Sequence, residues 1–267
     1  MTIDPTAEIH PSAVVETGAV VGPRCAIGPF CVVGPDVTLH EGVVLKSHAV
    51  VTGWTEIGPE TTIFPFANIG DVPQDLKYAG ERTRLVVGAR NRIREGVTMN
   101  LGTDGGGGVT RVGDDCLFMA GAHVAHDVRI GNHVILVNNA AIAGHCVLED
   151  EVIVGGLSGV HQWVRIGRGA IIGAVTMVTH DVIPYGLVQG PRGGLDGLNL
   201  VGLKRRGVDR SDITALRAAY QALAQGEGAF QDRARRLGEN GEIQSDYVRD
   251  IVNFVLGDTD RSYLTPG

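Results

Sequence analysis

Aromatic side chains are scarce in this chain: Phe, Tyr and Trp make up 5% of its 267 residues. A conventional globular core built on large rings is excluded, yet 43% of the residues are hydrophobic, too many for a disordered chain. Positive charge is also short. Lys and Arg number 23 against 30 Asp and Glu, a net charge of -7, which argues against nucleic-acid binding. No apolar run approaches the ~18 residues that an integral membrane segment requires. The opening MTIDPTAEIH lacks the basic flank and apolar stretch of a signal peptide, so a cytoplasmic location is expected. Cysteine is limited to Cys25, Cys31, Cys116 and Cys146, and no pair has the CxxC spacing of a metal or redox motif.

Glycine, by contrast, is abundant at 39 residues, roughly twice ordinary usage. It accompanies a repeat. Every sixth residue from Ile3 through Ile9, Val15 and Val21 to Ile69 is bulky and aliphatic. The series resumes in phase at Val87, Ile93 and Met99, slips by one residue, and runs again from Val112 to Val178 with Phe118 as its one ring. A period of six fits neither a helix nor an alternating strand. It fits a solenoid of short strands, each one face of a triangular prism. Three hexads make one coil, and about nine coils at a strand spacing of ~4.8 Å give a prism ~43 Å long. Four residues after each aliphatic position the side chain is small or β-branched, and all four cysteines fall there. They read as small core residues.

Two insertions interrupt the series, Asp71–Leu85 and Asp104–Gly108, the second (DGGGG) expected as a flexible loop. Function concentrates on such loops. The hexads die after Pro184. The expected division is a mainly β prism over residues 1–190 and a small α-helical domain over 191–267 that covers the end of the prism. Within the latter, a helix capped by Ser211 carries Ile213, Leu216, Tyr220 and Leu223 on one face. A second is expected over Ala229–Leu237 and a third over Ile243–Leu256.

Four of the nine histidines recur at nearly the same place in successive coils: His126, His145, His161 and His180. Coils ~4.8 Å apart would stack these imidazoles along one corner of the prism, with His123 on its approach. For a single His, an exposed polar corner is the plain explanation; for four in register it weakens. Two chemistries suit the column. An imidazole near pKa 6.5 can take a proton at neutral pH, and three histidines suit zinc. Asp127, beside His126, is placed to orient an imidazole or stabilise its charged form.

These residues sit within segments that together resemble the UDP-N-acetylglucosamine acyltransferases of lipid A biosynthesis, a family of hexapeptide-repeat enzymes. The segments are IGPFCVVGP (27–35), LKSHAVV (45–51), PQDLKYAGE (73–81), RNRIRE (90–95), AHVAHD (122–127), AGH (143–145), VHQ (160–162) and GLKRRG (202–207). The resemblance covers nearly the whole chain. It implies a left-handed parallel β-helix followed by a small C-terminal helical domain, assembled as a homotrimer. It also implies a reaction, in which a 3-hydroxyacyl group moves from acyl carrier protein to the 3-hydroxyl of UDP-N-acetylglucosamine. His126 would be the general base, Asp127 would orient it, and the backbone N–H of Gly144 would receive the oxyanion. Attack on the thioester is direct, so no covalent intermediate, cofactor or metal is expected. Asp75 and Lys77 would contact the acyl chain and sugar. His123, His145, His161 and Gln162 would line a nucleotide-sugar cleft between subunits, and Asn199 and Arg205 would hold ribose and diphosphate. The acidic carrier protein would dock on local basic surface, at Arg82, Arg84, Arg90, Arg92 and Arg94 or at Arg233, Arg235 and Arg236.

The chain departs from the family pattern in two places. Asn100-Leu101-Gly102-Thr103 stands where many members have His-Arg-Gly-Thr, which keeps a 3-amino sugar open as the acceptor. Ala174 occupies the acyl-chain ruler position, where Gly is familiar, and its methyl predicts a shorter acyl chain. His180 has no family role and reads as structural. Three other readings fit less well. An N-acyltransferase acting one step later carries an extra N-terminal domain, for which hexads beginning at Ile3 leave no room. A gamma-type carbonic anhydrase uses two histidines five apart, a spacing absent here. A non-catalytic prism would need neither the LKRRG segment nor a histidine column.

Overall fold

The computed structural model describes residues 2–225, 227–239, 245–257, 259 and 261–266. Its prism follows from the repeat. Each hexad yields a two-residue strand whose second member points inward and whose first points out, as in Val32–Val33 and Val44–Leu45. Each strand pairs in parallel with the strand one coil later, Val14 with Val32 and Val32 with Val50. The pairings build three parallel sheets of 9, 11 and 9 strands, led by Thr2–Ile3, Glu8–Ile9 and Val14–Val15. The coil count therefore matches the expected nine. Val33, Leu39, Leu45 and Val51 are fully buried in the stack that fills the prism.

The cysteines behave as small core residues. All four are buried, and each thiol donates to a carbonyl fifteen residues ahead: Cys25 to His40, Cys31 to Lys46, Cys116 to Gly131 and Cys146 to His161.

Between strands the chain turns a corner through a residue with positive φ. Asp127 (φ 60°), His145 (φ 63°) and Trp163 (φ 69°) do this at the corner joining the third sheet to the first. A left-handed conformation costs a non-glycine residue roughly 1 kcal/mol or more, and it persists because the backbone ladders on both sides over-determine it. Both insertions leave the prism at that same corner. One lies between strands Asn68–Asp71 and Arg84–Val87, the other between Thr98–Asn100 and Val109–Val112. The second is not the loose loop that four glycines predict. It folds into a 3-10 turn over Asp104–Gly106, closed by the Gly108 N–H on the Thr103 carbonyl at 2.8 Å.

Beyond the hexads, strand Gly186–Gln189 extends the second sheet and pairs antiparallel with Gly194–Leu198. The expected division near residue 190 falls in the turn of this hairpin. Four helices follow: α1 (Leu200–Arg205), α2 (Arg210–Gln225), α3 (Phe230–Glu239) and α4 (Asp246–Leu256). Helix α2 begins before Ser211, and the Ile213 N–H bonds the Asp209 carbonyl, so Ser211 is not its cap. Ile213, Leu216 and Leu223 are buried as expected, while Tyr220 is half-buried and donates its hydroxyl to the Leu195 carbonyl. Helix α3 matches expectation. Helix α4 follows Ser245, and Ile243 lies outside the described residues.

One buried carboxylate ties the last residues to the prism. Asp181 accepts bonds from the Arg165 N–H (2.9 Å), Arg165 Nε (2.7 Å) and Arg261 Nε (3.0 Å), and Tyr263 bridges beside it. The Arg165 guanidinium also lies over the Phe254 ring of α4. Asp181→Asn should lower stability by about 3 kcal/mol in equilibrium denaturation. This is the low end for a broken buried pair, because both guanidiniums keep some water. A loss below about 1 kcal/mol would show that the clamp contributes little.

Candidate active site

The corner joining the third sheet to the first repeats a two-residue turn once per coil. His126–Asp127, Gly144–His145, Gln162–Trp163 and His180–Asp181 succeed one another there, each pair eighteen residues after the last. Asp127, His145 and Trp163 therefore share one place in the turn and stack. The His145 ring lies face to face with Trp163, centroids 3.8 Å apart at 6°, and edge-on to His126 at 4.9 Å and 85°.

The expected four-histidine column is thus corrected. His126 and His145 meet, but the third ring is Trp163. His161 sits two residues earlier in its coil, and its Nδ1 turns to the Gln162 carbonyl at 3.2 Å. His180 bonds the Thr179 hydroxyl. A shift of one or two residues at a corner re-aims the side chain. The signal for Trp163 was present in its spacing of one coil from His145.

Asp127 is the electrostatic centre, with 1% of its side chain exposed. Its Oδ2 accepts the His126 Nδ1–H at 2.8 Å, while His145 Nδ1 lies at 3.8 Å. A carboxylate only accepts, so the proton sits on Nδ1 and leaves His126 Nε2 as a free base. Gly144 packs against that ring so closely that a Cβ would overlap Cε1 and Nε2. Among the described residues the Gly144 N–H has no intramolecular partner. A proton acceptor and a free donor thus stand side by side, the pair that acyl transfer requires.

The ligand atoms of His126, Asp127 and His145 lie within 4.8 Å of one another, close enough to consider a metal. The carboxylate argues otherwise, since Thr103 and His126 already occupy its oxygens. The thiols offer no alternative nucleophile, because burial pushes Cys116 and Cys146 up to about 12.

The other expected residues fall into two groups. At the same corner, Asp75 and Lys77 form a tight turn in the first insertion, Lys77 N–H on Asp75 Oδ1 at 3.0 Å, with Leu76 fully exposed between them. His123 is half-buried on the adjoining strand, bonded to the Thr98 hydroxyl at 2.7 Å. Asn199, Arg205 and Ala174 lie elsewhere. Asn199 caps α1, accepting from the Gly202 N–H and donating to the Gly169 carbonyl at the corner between the first and second sheets. Arg205 is exposed in the same helix, and its neighbour Arg206 pairs with Glu151 at that corner (2.9 Å). Ala174 is exposed at the remaining corner.

Comparison with known proteins agrees with this geometry. Residues 181–264 match the model "Udp N-acetylglucosamine O-acyltransferase; Domain 2", and residues 18–53 and 110–144 match the bacterial transferase hexapeptide model. The acyl-[acyl-carrier-protein]--UDP-N-acetylglucosamine O-acyltransferase of Paracoccus denitrificans is 71% identical over 206 residues, 76% of this chain and 77% of that one. The chain belongs to the UDP-N-acetylglucosamine acyltransferase family. The enzyme of the same name from Agrobacterium fabrum is 47% identical over 86% of this chain and 85% of its own. The UDP-N-acetylglucosamine acyltransferase of Campylobacter jejuni superposes with a TM-score of 0.89 at 38% identity, covering 97% of this chain and 99% of that one. The Arabidopsis enzyme gives 0.83 at 33% identity, over 96% and 99%. The fold is accordingly the left-handed parallel β-helix with a small helical domain, and the carbonic anhydrase reading is not favoured.

The departures from the UDP-N-acetylglucosamine acyltransferase pattern have structural answers. Asn100 is buried and donates to the Val72 carbonyl at 3.1 Å, joining the bases of the two insertions. Leu101 is buried beside Gly53.

Burial depresses the pKa of His123 and His145 below the ordinary 6.5; His126 adds to this in both, and the Asp127 and Asp75 charges oppose it at His145. Both are therefore neutral at pH 7. Because the folded-state values lie below the unfolded one, the neutral rings contribute stability that is intact above about pH 6.5 and lost as pH falls toward the folded values. The melting temperature should drop on acidification from about pH 7 to 5. His123→Gln, which keeps a partner for Thr98, should flatten that dependence, and an unchanged slope would count against the account.

Proposed function

We propose that this chain transfers a 3-hydroxyacyl group from acyl carrier protein to the 3-hydroxyl of UDP-N-acetylglucosamine, the first step of lipid A biosynthesis. The observation that carries this reading is the buried His126–Asp127 dyad with the unpartnered Gly144 N–H against its ring. His126 Nε2 takes the proton of the sugar hydroxyl as its oxygen bonds to the thioester carbon. The Gly144 N–H receives the negative charge on the carbonyl oxygen. Collapse then breaks the carbon–sulfur bond, and the departing thiolate takes the proton from His126. Asp127 stabilises the transient imidazolium.

The nucleotide end argues for more than one copy. Asn199 and Arg205 lie beside the corner of Gly169 and Glu151, whereas His126 lies at the next corner round the prism. The two sets would grip one molecule of substrate across neighbouring subunits, as in a homotrimer. The acyl arm fits the outer face of the third sheet. There Thr98, His123, Ala141, Gly159 and Met177 stand in register, and Ala141 and Gly159 leave a shallow trough. On the other side of the corner the first sheet presents Arg129, Val147 and Arg165, a poor surface for hydrocarbon. Met177 folds over Gly159 and Ala174 stands near the same end, which favours a short chain. For the carrier protein, Arg84, Arg90, Arg94 and Arg235 are already ion-paired, which leaves Arg82, Arg92, Arg233 and Arg236 free of acidic side-chain partners among the described residues; Arg233 and Arg236 donate instead to the Ala224 and Glu227 carbonyls. Such a donor belongs to the cytoplasm, and no described helix is long and apolar enough to cross a membrane.

With UDP-N-acetylglucosamine and a 3-hydroxyacyl carrier protein, His126→Ala should lower kcat by ~10²–10⁴. A loss below tenfold would overturn the assignment of the base. Against donors of graded length, the wild type should prefer a short chain and Ala174→Gly a longer one. Wild-type preference for the longest donor would sink the ruler argument.

A further inference from the structure

The residues between the third and first sheets at 101–108 have a use that their glycine content does not announce. The Thr103 N–H reaches both oxygens of Asp127, at 2.9 and 3.1 Å, and the Thr103 hydroxyl donates to Oδ2 at 2.5 Å. The turn then folds back on Thr103, whose carbonyl accepts the N–H groups of Gly106 and Gly108. This lays Gly106 flat on the carboxylate, where a Cβ would overlap all three carboxyl atoms. Gly105, by contrast, faces open space. Below, the Asp127 N–H is held by the Thr110 hydroxyl at 2.8 Å. The titratable groups facing the carboxylate are His126 and His145, and Arg129, Arg165 and Arg261 line the adjoining cavity of about 440 Å³.

We propose that Thr103 is a positioning residue for the acyl transfer, and that Gly106 completes the device as a water-excluding cover over Asp127. This rests on the reading of His126 as the general base. The carboxylate needs two things to serve that base: a fixed direction and a retained charge. Three donor contacts from Thr103 fix its plane, so that the remaining acceptor direction of Oδ2 points at His126 Nδ1. The same contacts stabilise the ionised form in a site closed to solvent. Without the hydroxyl, the carboxylate keeps its backbone bonds but gains freedom to rotate and holds its charge less firmly. Both changes impair His126 without touching either substrate.

The test uses the full-length protein in the acyl-transfer assay. Thr103→Val keeps the backbone bonds and the side-chain shape. It should lower kcat about tenfold, the scale of one charge-assisted hydrogen bond, with both KM values within about twofold. Thr103→Ser should recover most of the rate. The acid limb of the kcat–pH profile should move to higher pH in Thr103→Val, because a carboxylate without the hydroxyl donor is protonated more readily as pH falls. Gly106→Ala should also lose at least about tenfold, while Gly105→Ala stays within about twofold. Thermal melts separate these effects from unfolding. If the wild type turns over and His126→Ala does not, but Thr103→Val and Gly106→Ala retain the wild-type rate and profile, the positioning role is wrong. If the wild type fails to transfer acyl groups, the underlying reading has failed instead.

Discussion

The eighteen-residue register between coils is the constraint on which everything else depends. Parallel backbone pairing holds each residue over its counterpart one coil below, so a property of the sequence at that interval becomes a property of one line along the prism. The same ladder forces the corner residues into left-handed backbone conformations, which side chains as large as Trp163 and His145 ordinarily avoid. Their rings leave the prism at a common angle as a result. The aromatic stack and the dyad are consequences of that winding, and no loop had to be shaped to bring them together.

Against this regularity, the two insertions mark where local chemistry is added. Both leave at the corner where the imidazoles emerge, one after the other along the prism. The first carries Asp75 and Lys77 out toward solvent. The second turns inward and closes over Asp127. A carboxylate with so little solvent would be expensive to keep ionised without donors. Its donors come from both sides of the corner: Thr103 and His126 on the side chain, Thr110 beneath the backbone.

Much of this was legible in the sequence, for reasons that differ by element. The prism, its three faces and the burial of the cysteines follow from periodicity alone, because a repeat of six has few structural meanings. His126 and Asp127 were legible because adjacent residues at one corner must emerge together. The identity of the third ring was not. A count that tolerates one or two residues of drift admits His161, yet drift at a corner rotates a side chain out of line, and the strict interval selects Trp163. The short helix α1 was hidden by its length, since six residues carry too little amphipathic pattern to announce themselves. The second insertion misled in another way. Glycine reads as freedom, but Gly106 is small because a carboxylate lies against it, and Gly107 and Gly108 are glycines because their backbones are left-handed.

The division of the site between corners has a thermodynamic consequence. The proposed base, the proposed oxyanion donor and the small-residue trough all belong to one edge and its adjoining face of a single chain. The pair proposed to hold the nucleotide, Asn199 and Arg205, belongs to another edge, with Asn199 locked in place as the cap of α1. On the proposed reading, a lone prism assembles its proton-transfer pair but leaves the residues proposed for the diphosphate at a different corner. On that reading, binding energy from the remote nucleotide would reach the reacting centre when two prisms sit side by side. Association and catalysis are then linked: a substrate that bridges two copies stabilises their contact by the same free energy with which that contact tightens the substrate.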